Sequence, residues 1–203
     1  MANIEIIDDF LSVKEHHYLH GVMLESGFSQ DGPDRGLQWM YFPNSVSPED
    51  GKETGMYDYG LFYNFYKCPM LQLAGKNQSD RYDLIRPIVN KFPVLGISRI
   101  KANLEIYTGD KPFKGEFHND MGYFDKDNNP LIPNDLQTAI YYVNTCNGYT
   151  EFEDGTKVES VANRLALFSG KLSHRGVRQT DTKARCVINF NWFRADLGAV
   201  NAL

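Results

Sequence analysis

The chain has 203 residues, a formal net charge of −5 and a pI of about 5.5. A chain of this length favours a single domain that buries about 70% of the surface its unfolded form would expose, so folding requires neither disulfides nor a structural metal. The acidic balance argues against nucleic-acid and anionic-membrane partners, which select clustered Lys and Arg.

Cys68, Cys146 and Cys186 are odd in number, widely spaced and lack a Cys-x-x-Cys pair. They suit a reducing compartment and speak against a thiolate zinc site. MANIEIIDDF has no basic n-region, and no apolar run reaches the length of a membrane span. A soluble, cytoplasmic protein is the expectation.

In chain order, residues 4–11 (IEIIDDFL) read as a short strand. Ser12 and Glu15 have capping-box spacing and Gly27 stands at a stop position, which predicts a helix over 12–26. Residues 31–56 are rich in turn formers, interrupted by the strand-like GLQWMYF. GLFYNFY (60–66) reads as an aromatic strand. Apolar residues at 84, 85, 88, 89 and 92 predict a helix over 79–92 capped by Ser79 or Asp80, with Pro87 as an objection. From residue 97 short alternating segments follow, separated by turn-rich pieces, a pattern of sandwiches, jelly rolls and barrels. The expected organisation is one unit over 1–203, with helical and mixed support in 1–96 and a β-rich core in 97–193.

KGEFHND contains His118-Asn119-Asp120. In a strand, residues i and i+2 share a face, so one imidazole and one carboxylate can aim at one point. With five His and 16 Asp in the chain, chance alone supplies roughly 0.4 such pairs, so the triplet by itself is weak. Well downstream, His174 opens HRGVRQTDTKARCVINF. Two His and a carboxylate form the facial triad of non-haem Fe(II) oxygenases, which leaves coordination positions open for a cosubstrate and O₂. Arg185, further along the same stretch, is a bidentate partner for a carboxylate in a partly dry pocket. Arg178 is a rival for that role; Arg185 is preferred because it begins the apolar strand CVINFNWF. Alternation puts Arg185, Val187, Asn189 and Asn191 on one face of that strand.

With these motifs in place, residues 97–193 resemble the 2-oxoglutarate/Fe(II)-dependent oxygenase superfamily, and prolyl-hydroxylase-like members in particular. FHND matches the family's His-x-Asp, LALFSGKLSHRGV the strand and turn that deliver the distal His, and KARCVINFNWF the strand that carries the Arg. The resemblance implies a double-stranded β-helix (jelly roll, cupin-like) with flanking helices. It implies that His118, Asp120 and His174 are the metal ligands and the catalytic centre. Arg185 would hold the far carboxylate of 2-oxoglutarate, with Tyr142 of TAIYYVN and Tyr107 of NLEIYTGD as cosubstrate or pocket tyrosines. The implied reaction, with O₂ as cosubstrate, oxidatively decarboxylates 2-oxoglutarate to succinate and CO₂ and hydroxylates a prolyl or other amino-acid side chain of a small-molecule, peptide or protein substrate. Asp120 favours hydroxylation over halogenation, because halogenating relatives replace the carboxylate with a small residue. NGYTEFEDG departs from the family's usual Gly-Gly pair, with Tyr149 in place of the second Gly.

Outside this constellation, His16, His17 and His20 are expected on a solvated helix face. Trp39, Tyr41 and the tyrosines and phenylalanines at 57–66 are expected chiefly in the core. The polar segment 120–135 is long enough for a lid over the site. Alternative readings are nucleobase demethylation, a non-catalytic jelly-roll binding module, and a zinc-dependent hydrolase built on the same His/Asp/His site. Demethylation is disfavoured by Asn191 at the position where repair enzymes carry a second Arg.

Overall fold

The computed structural model describes residues 3–25, 36–43, 59–68, 77–120 and 135–194. Among these residues, ten strands form two antiparallel sheets. They are β1 (Ile4–Ile7), β2 (Met40–Phe42), β3 (Gly60–Lys67), β4 (Val94–Ile106), β5 (Leu136–Tyr142), β6 (Tyr149–Phe152), β7 (Lys157–Glu159), β8 (Arg164–Ser169), β9 (His174–Val177) and β10 (Ala184–Arg194). The major sheet has the order β1-β8-β5-β10-β4-β3-β2, and the minor sheet β7-β6-β9. Bridges Lys114↔Val177 and His118↔His174 lay residues 114–118 along the free side of β9. The architecture is a jelly roll. β1, β2 and β3, all from the N-terminal half, extend both edges of the major sheet.

β10 sits at the centre because its β-branched and aromatic residues suit burial on both faces. Its odd-numbered positions face the minor sheet. Its even ones, Cys186, Ile188, Phe190 and Trp192, join Ile100, Ala102, Tyr141 and Leu165 in a core under the helices. That core receives Leu19 of α1 (Val13–His20) and Val22 and Met23 of the π-helical turn Gly21–Glu25 that prolongs it. Full burial of each such side chain contributes about 1.5–3 kcal/mol. A smaller apolar cluster, Ile140, Tyr142, Phe152, Val158, Ala166, Phe168 and Val187, lies between the sheets.

The capping box forms: Ser12 Oγ accepts from the Glu15 amide, and Glu15 Oε2 accepts from the Ser12 amide at 3.0 Å. Gly27 lies outside the described residues. The helix expected over 79–92 is broken. A 3₁₀ turn (Tyr82–Leu84) precedes α2 (Arg86–Val89), in which Pro87 occupies the first turn. Pro87 has no N–H and crowds the preceding turn, so the chain restarts there rather than continuing. No helix among the described residues is long and apolar enough to cross a membrane.

Candidate metal and carboxylate site

The two histidines meet across a strand pair. His118 N–H donates to His174 O and His174 N–H to His118 O, each at 3.0 Å, so the residues form a closed antiparallel pair. Both rings are tethered in the same way. His118 Nδ1–H donates to Glu116 O at 3.0 Å and His174 Nδ1–H to Leu172 O at 3.1 Å. A carbonyl only accepts, so each Nδ1 carries a proton, which leaves Nε2 as the nitrogen that would face a metal. Phe168 packs edge-on against the His174 ring at 5.1 Å between centroids.

Asp120 follows by strand alternation. Between the two ligands, Asn119 turns the other way and donates to Lys171 O at 3.0 Å, which pins the segment to the turn before β9. One ligand atom from each of His118, Asp120 and His174 lies within 4.8 Å of the others, and His174 Nε2 is 4.0 Å from Asp120 Oδ2. The Asp120 side chain is 4% exposed. Arg99 Nη2 donates to its Oδ1 at 2.9 Å and Asn191 Nδ2 to its Oδ2 at 3.1 Å, with longer contacts from Asn189. Burial pushes the Asp120 carboxyl up. Arg99, the two imidazoles and Asn191 outweigh it and hold the group well below the usual carboxylate range. Burial keeps His174 below the ordinary histidine range, against the pull of Asp120. Two imidazoles and an ionised carboxylate are the donor chemistry of a divalent first-row metal.

These groups line an open cleft together with Lys101, Glu105, Thr150, Arg178, Arg185 and Asn189. Arg185 is 2% exposed. Its Nε donates to Ser160 Oγ at 2.7 Å and its Nη1 to Glu105 Oε2 at 2.8 Å, while Nη2 stands 3.4 Å from Thr150 Oγ1. Burial alone would lower the guanidinium pKa; Glu105 reverses that and raises it. Gly148 makes the seat possible, since a Cβ there would stand 2.7 Å from Arg185 Cδ and 2.9 Å from Val177 O. This glycine is the first of the family's pair, and the structure gives it a steric role that the sequence left open.

Tyr142 lies behind Arg185 and does not line the cleft. It is fully buried, its hydroxyl donates to Thr150 Oγ1 at 2.8 Å, and the guanidinium lies 5.7 Å from its ring centroid. Tyr107 is not brought to the site. β4 ends at Ile106, and Tyr107 stands beyond it, 42% exposed, its hydroxyl donating to Asp110 Oδ1 at 2.5 Å. The spacing to His118 matched the family, but the strand stops short of Tyr107 and the ring turns towards solvent. Arg178 lines the cleft between the rings of Tyr59 and Phe113, at 5.1 and 5.0 Å. Its Nη2 donates to Tyr59 O, and its buried Nη1 has no partner among the described residues.

Four residues beyond the sequence reading complete the site. In register with β10, β4 presents Arg99 opposite Asn191, Lys101 opposite Asn189 and Glu105 opposite Arg185. Thr150 of β6 faces them. The alternation R-x-K-x-N-x-E over 99–105 is a visible period-2 signal of a polar strand face. Elsewhere, His16 is half-buried and pairs with the Tyr141 hydroxyl at 2.7 Å, so it does not lie on a fully solvated face. Of the aromatic set, Phe65 is core, Tyr59 lines the cleft, Tyr41 is exposed, and Tyr57 lies outside the described residues. The candidate lid also falls almost wholly outside them, at 121–134.

No protein-family model and no curated protein sequence matches the chain. Solved structures do. The viral collagen prolyl hydroxylase of Paramecium bursaria Chlorella virus-1, in complex with 2-oxoglutarate, is similar at a TM-score of 0.52 and 17% identity, over 95% of each chain. A Trichoplax adhaerens prolyl hydroxylase in complex with a hypoxia-inducible-factor peptide is similar at 0.51 and 14%, over 100% of this chain and 89% of that one. The non-haem 2-oxoglutarate-dependent carbocyclase SnoK of nogalamycin biosynthesis is similar at 0.55 and 10%, over 100% and 87%. With His118, Asp120 and His174 gathered at the mouth of its two sheets, the chain has the jelly-roll fold of the 2-oxoglutarate/Fe(II) oxygenases.

Proposed function

We propose that the protein is a non-haem Fe(II)- and 2-oxoglutarate-dependent oxygenase that hydroxylates an amino-acid side chain, prolyl or other. The observation that carries this reading is the joint placement of two Nδ1-tethered imidazoles, a buried carboxylate and a buried guanidinium on one cleft. A zinc hydrolase would have use for the first three and none for Arg185.

His118, Asp120 and His174 would hold the iron, which when bound supplies the chemistry that activates O₂. Arg99, Asn189 and Asn191 hold Asp120 ionised and in place. Arg185 and Thr150 offer donors to the far carboxylate of 2-oxoglutarate, and Lys101 adds positive charge to the same wall. Arg185 takes this role over Arg178 because it faces the sheet interior beside Thr150. Tyr142 is a positioning residue that orients Thr150. Phe42, Leu61 and Phe113 make the outer wall apolar, which excludes water from the reacting carbon. The overall conversion is R–H + 2-oxoglutarate + O₂ → R–OH + succinate + CO₂. The prolyl hydroxylases among the structural neighbours support a side-chain substrate, free or in a peptide. The three unpaired cysteines support a reducing, cytoplasmic setting.

Anaerobic titration of Fe(II)-loaded protein with 2-oxoglutarate tests the reading. A weak visible band of the chelated 2-oxo acid should appear, followed by succinate when O₂ is admitted, with neither in His174→Ala. Folded wild-type protein that gives no band and no succinate would sink it; hydrolytic activity restored by Zn(II) would replace it.

A further inference from the structure

The residue that faces the proposed cosubstrate anchor is itself a carboxylate. Glu105 stands opposite Arg185 in the β4–β10 register and places Oε2 2.8 Å from Nη1. Its other oxygen is fitted as closely, since a Cβ on Gly176 would stand 3.0 Å from Glu105 Oε1. The carboxylate therefore sits in a slot bounded by bare backbone on one side and the guanidinium on the other. Of the five guanidinium N–H groups, Ser160 takes the one on Nε and Glu105 takes one on Nη1. Nη2 is left with a 3.4 Å contact to Thr150 Oγ1, an oxygen that already accepts from Tyr142.

We infer that Glu105 is a specificity-determining residue: it neutralises Arg185 from within and so sets how strongly the cleft prefers a 2-oxo diacid over a 2-oxo monoacid. The inference rests on the oxygenase reading. An arriving distal carboxylate meets Nη2 and the remaining Nη1 N–H with a like charge already on the same guanidinium. Either Glu105 withdraws, losing a charge-assisted hydrogen bond, or two carboxylates share one cation in a water-poor pocket. Both lower the affinity for 2-oxoglutarate. Neither touches 2-oxopentanoate, which has the same carbon chain and the same 2-oxo-acid head but no distal charge.

Glu105→Gln keeps the side-chain shape and removes the charge. Fe(II)-loaded wild type and variant should be titrated anaerobically with 2-oxoglutarate and with 2-oxopentanoate, following the chelate band, with Glu105→Ala as a second variant. The expected result is about tenfold tighter 2-oxoglutarate binding in both variants, the scale of one removed like charge in a partly desolvated site, with 2-oxopentanoate changed less than about twofold. Binding of 2-oxoglutarate by the variants alone would support the inference in its strongest form. If wild type binds and the variants bind 2-oxoglutarate equally or more weakly, Glu105 does not compete and the inference falls while the oxygenase reading stands. Equal tightening of both ligands would show a general loosening of the cleft and also overturn it. If no protein binds either ligand, the oxygenase reading fails and this inference with it.

Discussion

The two ends of the cleft are built on opposite plans. At the metal end each candidate ligand is tied to the protein: both Nδ1 atoms to carbonyls, and the Asp120 carboxylate to Arg99, Asn189 and Asn191. That leaves both Nε2 atoms to face a metal. At the anion end the guanidinium is already matched by Glu105. The metal end is set to receive charge, whereas on the proposed reading an anion arriving at the other end would have to compete with Glu105 for Arg185. Preorganisation at one end and internal competition at the other can coexist because they lie on different pairs of the same two strands, 99/191 and 105/185.

Arg99→Ala strikes the metal end hardest short of removing a ligand. It strips the buried Asp120 of its strongest partner, and Fe(II) affinity should fall by about 10–100-fold, as read by metal titration. Unchanged affinity would mean that the asparagines alone hold Asp120. Gly148→Ala does the same for the anion end. The added methyl overlaps Arg185 Cδ and the Val177 carbonyl. It should cost about 1–3 kcal/mol in thermal or denaturant unfolding and raise the 2-oxoglutarate requirement while leaving Fe(II) binding intact. Loss of both together would erase the contrast between the ends.

A pH series separates the ends more gently. Burial, with Arg99 adding to it and Asp120 opposing, brings Lys101 from 10.5 down to about 8. As pH rises through about 8 the folded protein loses this cation, and 2-oxoglutarate binding should weaken a few-fold above that point. Stability moves the other way. The unfolded chain keeps the lysine proton to a higher pH than the folded one, so the cost of burying the ammonium is fully present below about pH 8 and is relieved between there and 10.5. Lys101→Met should flatten both trends. The smallest effect is expected for Tyr107→Phe, which removes only an exposed hydroxyl bond to Asp110. Iron and 2-oxoglutarate titrations should match wild type, and a change in either would return Tyr107 to the site.

These expectations also mark what was readable in the chain. His118, Asp120 and Arg185 could be placed because alternation fixes which side chains share a face, and that rule is local. The helix over 79–92 and the inward Tyr107 failed where a local rule met an interruption: Pro87 in one case, the end of β4 in the other. Glu105 and Arg99 sat in a visible alternating pattern. Their importance came only from the register between β4 and β10, a pairing of strands far apart in the chain that no local period encodes. Gly148 lay in a recognised motif, yet its reason, the Arg185 stem, is again a contact between distant strands.

The backbone bridge between His118 and His174 carries one more consequence. Residues 114–118 belong to no full strand and are held to the minor sheet by a few amides, the Phe117 ring under Arg175 and a Lys114–Glu151 contact. An ion gripping both rings would rivet that fringe to the minor sheet through the side chains, closing the long loop between the two histidines as a crosslink does. Hydrogen–deuterium exchange at the His118 and His174 amides should then report metal occupancy directly, slowing as the ion is added and recovering with chelator, without any need for the reaction to run.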